Sequence, residues 1–160
     1  MIILDIKKQL LAVDKILPQP PQTLGNYRPY IVADNMAFIS GQLPIKNGCI
    51  IYSGKLGSEL CIEEGKQAAE LCALNILSQI VELEKEYTFK KLIKIEGCIN
   101  STSDFTQHAN VLDGASDLLS SVLLKQAGHA RSIIGCSSLP LNAAIEIIAT
   151  VEISSFTLLS

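Results

Sequence analysis

Residues 92–136 read LIKIEGCINSTSDFTQHANVLDGASDLLSSVLLKQAGHARSIIGC. Two periods lie side by side in this stretch, and their order sets the architecture. Leu92, Lys94, Glu96 and Cys98 alternate with Ile93, Ile95, Gly97 and Ile99, the two-residue repeat of a strand. Asn100 to Asp104 is polar and turn-like. From Asn110 to about Gln126, Val111, Leu112, Ala115, Leu118, Leu119 and Val122 recur at helical spacing and mark an inward stripe. Gly128 supplies a helix stop, and Ala130 to Cys136 is a second strand-like run with a single charge.

The segments on either side extend this alternation. Glu63 to about Glu86 carries Ala68, Leu71, Cys72, Asn75, Ile76, Gln79, Ile80 and Leu83 along one helical stripe. Glu63 and Glu64 sit in its first turn, opposing the positive end of the helix dipole. Upstream, Tyr30 to Ala33 and Ala37 to Ser40 are strand-like runs separated by the turn pair Asp34-Asn35. A second turn pair, Asn47-Gly48, precedes Cys49 to Tyr52, which predicts a meander of three short antiparallel strands. Ile3, Ile6, Leu10, Val13 and Leu17 predict an N-terminal helix over 1–17. Pro18, Pro20 and Pro21 end it and begin a stiff linker over 18–26. Ala144 to Ile153 is the last strand.

The order is helix, three strands, helix, strand, helix, two strands. It predicts a single α+β domain over 1–160 with a core over 27–153 and helices packed on one face of a mixed sheet. The other face, read as rich in Val, Ile and Ala, then needs cover from another subunit.

Composition narrows the functional classes. The 160 residues suffice for one self-supporting core. Charged residues are 18 % of the chain, below the quarter or so usual for soluble domains, a hint of surface shared with a second copy. Net charge is −3, the pI is about 5.4 and no run of Lys or Arg occurs, which disfavours nucleic acid as a partner. Asp5, Lys7 and Lys8 interrupt the opening residues where a secretory signal is apolar, and no segment approaches the ~20 apolar residues of a membrane span. Cys49, Cys61, Cys72, Cys98 and Cys136 form no CxxC pair and no metal spacing with His108 or His129. A reducing, cytoplasmic setting is expected, without metal or membrane.

Arg131 is the first candidate for chemistry. A lone guanidinium entering an apolar strand must find an anion, and its planar fork fits a carboxylate. That carboxylate is either a ligand's or one of the chain's own. Glu146, inside Ala143-Ala144-Ile145-Glu146-Ile147-Ile148-Ala149, is a carboxyl whose pKa an apolar strand would raise, suiting it to acid or base work. The alternatives are a partner for Arg131 or an outward-facing strand residue, and Glu152 could fill the same plain role. Ser40 and Gly41, in Ser40-Gly41-Gln42-Leu43-Pro44, either line a pocket or simply end a strand. Tyr27 either stacks on a ligand or is an ordinary half-buried tyrosine. His129 either reads a ligand beside Arg131 or caps a helix end.

Taken together, Gly25-Asn26-Tyr27, Phe38 to Pro44, the helix from Glu64 to Leu77, Ala130-Arg131-Ser132, Leu139-Pro140 and Ile145-Glu146 resemble the Rid family, also called YjgF-type or L-PSP endoribonuclease-like proteins. The resemblance spans about Tyr27 to Ile153. The N-terminal helix with its prolines, Asp113 to Leu119 and Gly128-His129-Ala130-Arg131 resemble a longer, chorismate-mutase-like subgroup. The resemblance implies a homotrimer in which three sheets form an inner barrel, with clefts between neighbouring subunits. It also implies hydrolysis of 2-imino or 2-enamino acids to 2-oxo acids and ammonia, with no cofactor. By that resemblance Arg131 holds the substrate carboxylate, Glu146 activates water, and Tyr27, Ser40 and Gly41 line the cleft. One position departs from the pattern: family deaminases carry Cys two residues after the arginine, where this chain has Ile133. Cys136 is offset by three and belongs to the opposite sheet face. Two other functions therefore stand beside deamination: binding of a small carboxylate without turnover, and ribonuclease action or translation inhibition, which the acidic charge disfavours. Chorismate mutase activity ranks below these, since it needs several cations around a dicarboxylate.

Overall fold

The computed structural model describes residues 5–156. The opening of the predicted N-terminal helix, Ile3 included, and the last residues of the predicted domain lie outside them. The elements are α1 (Ile6–Ala12), β1 (Tyr30–Ala33), β2 (Met36–Gln42), β3 (Ile45–Lys46), β4 (Cys49–Ile50), α2 (Ile62–Leu83), β5 (Tyr87–Asn100), α3 (His108–Leu123), β6 (Ala130–Cys136) and β7 (Ile145–Ser155). Short 3-10 turns cover Leu124–Gln126 and Pro140–Asn142.

Five strands form one mixed sheet in the order β1-β2-β7-β5-β6. β5 and β6 run parallel, because α3 carries the chain back along the sheet between them; the other neighbours are antiparallel. The helices cover one face, giving the α+β architecture expected. Ala37, Ile39, Leu92, Ile95, Ile99, Ile147, Ala149 and Val151 point at them and are buried. On the helix side Ile76, Leu77 and Ile80 of α2 and Leu112, Leu119 and Val122 of α3 meet that surface. Each large side chain buried this way contributes about 1.5–3 kcal/mol. α2 starts with a reciprocal cap, in which the Cys61 amide donates to Glu64 Oε2 at 2.8 Å.

Several expectations are corrected. α1 ends at Ala12 rather than Leu17. Asp14 takes a left-handed conformation (φ 56°), and the Lys15 amide turns back to the Leu10 carbonyl at 2.9 Å. Aspartate tolerates that conformation because its side chain can compensate locally. Leu17 still packs on the core as irregular chain, and Lys15 pairs with Glu70 of α2. The third meander strand does not join the sheet: Cys49–Ile50 closes a separate hairpin on Ile45–Lys46 about Asn47-Gly48. Leu43, Ile45 and Ala143 form a small core of their own beneath it. β5 is longer than its alternating run, with register shifts between Phe89 and Lys91 and between Leu92 and Lys94. The second shift puts Leu92 on the buried face together with Ile95.

The uncovered face carries Ile31, Phe38, Ile134 and Ile148, all exposed. Between them run the ion pairs Lys94–Glu96 (2.9 Å) and Lys91–Glu152 (3.4 Å). It is a mixed surface and not the Val-, Ile- and Ala-rich one expected. Among the described residues no helix is long and apolar enough to cross a membrane.

Candidate functional site

The pairing of β2 with β7 holds a regular register from Met36–Glu152 to Ile39–Ala149 and then slips, so that Gln42 faces Ile147. Ser40 and Gly41 are the extra length on β2, a bulge of the kind that re-aims side chains. The bulge is pinned by three hydrogen bonds. The Ser40 amide donates to the Pro29 carbonyl at 2.9 Å, and its hydroxyl donates to the Arg28 carbonyl at 2.7 Å. The Ser40 carbonyl accepts from Gln42 Nε2 at 2.9 Å. Gly41 then lies directly against Glu146: a Cβ at 41 would stand 1.9 Å from Glu146 Oε1 and 2.7 Å from its carboxyl carbon. Only a residue without a side chain lets that carboxyl occupy its place.

Glu146 alternates along β7 with Ile145 and Ile147, which are buried on the helix side. Its carboxyl opens into a cavity of about 360 Å3. Leu24, Tyr27 and Pro29 before β1, Leu43 and Ile45 after β2, and Pro140 supply apolar wall. Gln22, Thr23, Gln42, Gln79 and Glu146 supply its polar part. Burial raises the Glu146 carboxyl above the usual carboxylate range. Tyr27 is half exposed, and its hydroxyl accepts the Leu24 amide at 3.3 Å, folding the linker over the opening.

The structure therefore brings Tyr27, Gly41 and Glu146 together. Ser40 stands behind them as a support of the bulge and is not among the lining residues. The sequence reading missed Asn75 and Gln79. Asn75 is buried on α2, and its amide donates to the carbonyls of Leu43 and Ile45 at 3.0 Å each, fixing one wall of the cavity. Gln79, one helical turn on and 2 % exposed, lines the same space. Their signal was present in the sequence as two amides four residues apart on an otherwise apolar stripe.

Arg131 lies elsewhere. On edge strand β6 it is opposite Ile95, which in turn faces Ala149, three residues past Glu146 along β7. Its side chain runs towards α3, on the helix face of the sheet. Nη1 contacts Asp113 Oδ1 at 2.7 Å and donates to Ser116 Oγ at 3.1 Å. The side chain keeps 29 % of its exposure and that of Asp113 keeps 41 %. Of the two carboxylates the sequence left open, the structure shows one of the chain's own, Asp113, and it meets the guanidinium at an edge open to solvent and not in a buried strand. His129 reaches the same place, with Nε2 3.1 Å from Ser116 Oγ and Nδ1 2.6 Å from the Ala127 carbonyl. Ile133 faces the helix side with Arg131 and packs against the core. Cys136 lies near Cys98 on the other side, and burial raises both thiols above their ordinary value, which leaves them poor nucleophiles. Among the described residues no group of three or more His, Cys, Asp or Glu could hold a metal ion.

The fold that carries this carboxyl has counterparts among known proteins. Residues 7–153 match the model of the family described as "YjgF/chorismate_mutase-like, putative endoribonuclease". The chain belongs to this family, the Rid/YjgF proteins. Protein TCP17 of Trypanosoma cruzi is 37 % identical over 143 residues, 87 % of this chain and 88 % of that one. A crystal structure of an Agrobacterium tumefaciens protein of unknown function superposes with a TM-score of 0.86 at 35 % identity, covering 93 % of this chain and 92 % of its own. A "putative endoribonuclease" of Shewanella oneidensis gives a TM-score of 0.87 at 31 % identity, covering 92 % and 98 %.

Proposed function

We propose that the protein hydrolyses reactive 2-imino or 2-enamino acids to 2-oxo acids and ammonia, in clefts completed by a neighbouring copy within a homotrimer. The observation that carries this reading is the Glu146 carboxyl, desolvated over Gly41 in a cavity rimmed by Tyr27. A carboxylate with a raised pKa is a competent base at neutral pH. It takes a proton from water as the water oxygen bonds to the imine carbon. Glu146 returns that proton to the carbinolamine nitrogen, the C–N bond breaks, and ammonia leaves as the hydroxyl proton passes back to the carboxylate and the carbonyl forms. An enamine first gains a proton at carbon from solvent to become the iminium form of that imine.

The cavity is large enough for a small amino-acid skeleton, but it holds no cation to take the substrate carboxylate. Arg131 is the guanidinium for that task, and within one chain it stands on edge strand β6, two strands from β7, and on the other face of the sheet. A site with both groups needs two chains, with β6 of one near the Glu146 cavity of the next. The exposed Ile31, Phe38, Ile134 and Ile148 favour such an assembly, since association would bury them. The free cysteines fit a reducing, cytoplasmic setting.

The test couples the purified protein to an amino-acid dehydratase acting on serine or threonine and measures release of ammonia and 2-oxo acid. Acceleration by the native protein and its loss in both Arg131→Ala and Glu146→Gln are expected. Equal rates in the native protein and Arg131→Ala would remove the catalytic reading. Binding of a small carboxylate without turnover is the second reading, favoured by Ile133 at the position of the deaminase cysteine. Calorimetry with 2-oxo acids that shows binding, beside a flat coupled assay, would select it. Ribonuclease action is a weaker alternative, given the net charge of −3 and the lack of a basic run.

A further inference from the structure

The proposed chemistry uses Arg131 but leaves its neighbours without a role: Asp113 and Ser116 on α3, and His129 in the turn leading into β6. They meet in one network. The Ala127 carbonyl can only accept, so His129 Nδ1 carries the proton in the 2.6 Å contact between them. In the neutral ring Nε2 is then an acceptor, and the Ser116 hydroxyl, 3.1 Å away, donates to it. That leaves the Ser116 oxygen free to accept from Arg131 Nη1, also at 3.1 Å. Every bond therefore runs one way, from Arg131 to Ser116 to His129 to the Ala127 carbonyl. Asp113 takes Nη1 from the other side at 2.7 Å.

We infer that Ser116 and His129, with Asp113, are positioning residues that hold Arg131 for a ligand carboxylate and select its mode of binding. A guanidinium offers two paired edges, Nη1 with Nη2 and Nε with Nη2. Both internal contacts fall on Nη1, which spoils the first edge. Among the described residues the Nε–Nη2 edge makes no hydrogen bond, so a planar carboxylate is taken side-on there. The ligand class is the monocarboxylates, because Asp113 beside the clamp repels a second acidic group placed next to the first. The inference rests on the proposed role of Arg131 and deepens it.

The test uses full-length protein and 2-oxobutanoate, followed by calorimetry, and the coupled dehydratase assay. Ser116→Ala and His129→Phe are expected to weaken 2-oxobutanoate binding about tenfold, the value of one lost charge-assisted hydrogen bond. The loss appears in KM rather than kcat. Ser116→Thr, which keeps the hydroxyl, restores affinity to within about threefold. 2-Oxobutanamide, which has no carboxylate, binds native protein and Ser116→Ala alike, a result that a general packing defect would not give. Native affinity in both Ser116→Ala and His129→Phe overturns the inference if Arg131→Ala abolishes binding. If Arg131→Ala also binds normally, the proposed site itself is wrong and this inference falls with it.

Discussion

The two parts of the candidate site are built on opposite principles. Around Glu146 the chain supplies shape: a bulge, a side-chain-free residue at 41 and apolar walls leave a half-buried carboxyl whose pKa burial raises. Around Arg131 it supplies partners: a carboxylate, a hydroxyl and, through that hydroxyl, an imidazole on an exposed edge. The carboxyl has its pKa raised by half-burial, and the cation is held by an ion pair and a hydrogen bond. A proton acceptor benefits from a raised pKa, whereas an anion clamp benefits from fixed geometry.

The sharpest way to break this contrast is Glu146→Gln, which keeps the shape and removes the base. Turnover in the coupled assay should fall by about a hundredfold or more, with 2-oxobutanoate affinity changing far less. Next comes Gly114→Ala on the arginine side. A Cβ there would stand 2.2 Å from the Lys66 carbonyl oxygen, forcing α2 and α3 apart. A loss of about 1–3 kcal/mol in urea unfolding is expected. Gly41→Ala should do the reverse: turnover falls about tenfold as the carboxyl is pushed aside. Its melting temperature should change little, because the displaced group is a side chain end.

Asp113→Asn is smaller still. The pair it breaks is partly exposed at both ends, so unfolding should shift by less than about 1 kcal/mol. The finest comparison uses pH. The folded carboxyl of Glu146 has a raised pKa, so the folded chain binds its proton more readily than the unfolded chain does. Its ionisation therefore costs stability as pH rises through the interval above the ordinary carboxylate value. Glu146→Gln should melt slightly higher than the native protein at neutral pH, and the difference should vanish below that interval. A constant difference across pH would show that burial of this carboxyl is not what shifts it.

Much of the fold was legible because its two long helices and the strand between them carry strong periods. Val111, Leu112, Ala115, Leu118, Leu119 and Val122 face inward as their spacing requires. What misled was local. Asp14 stops α1 by adopting a conformation that no apolar period reveals, so Leu17 kept its burial but lost its helix. Asn47-Gly48 did announce a hairpin, yet its second strand pairs with the residues just before the turn and not with the sheet. For the candidate site, the sequence singled out Tyr27, Gly41 and Glu146, which line one cavity, while the neighbour of Gly41 was hidden: Glu146 lies far along the sequence, and a Cβ at 41 would stand 1.9 Å from its carboxylate oxygen. The partner of Arg131 was equally hidden. Asp113 sits on the exposed side of an amphipathic helix, where an acidic residue needs no explanation.

The contact between Gly41 and Glu146 also constrains descent. A methyl group at 41 and the glutamate carboxyl in its present place compete for the same volume, so a glutamate placed as here requires glycine at 41. In homologues glycine at 41 should accompany glutamate at 146. A lineage that acquires alanine at 41 should carry a shorter acid or a neutral small residue at 146, and with it a different chemistry.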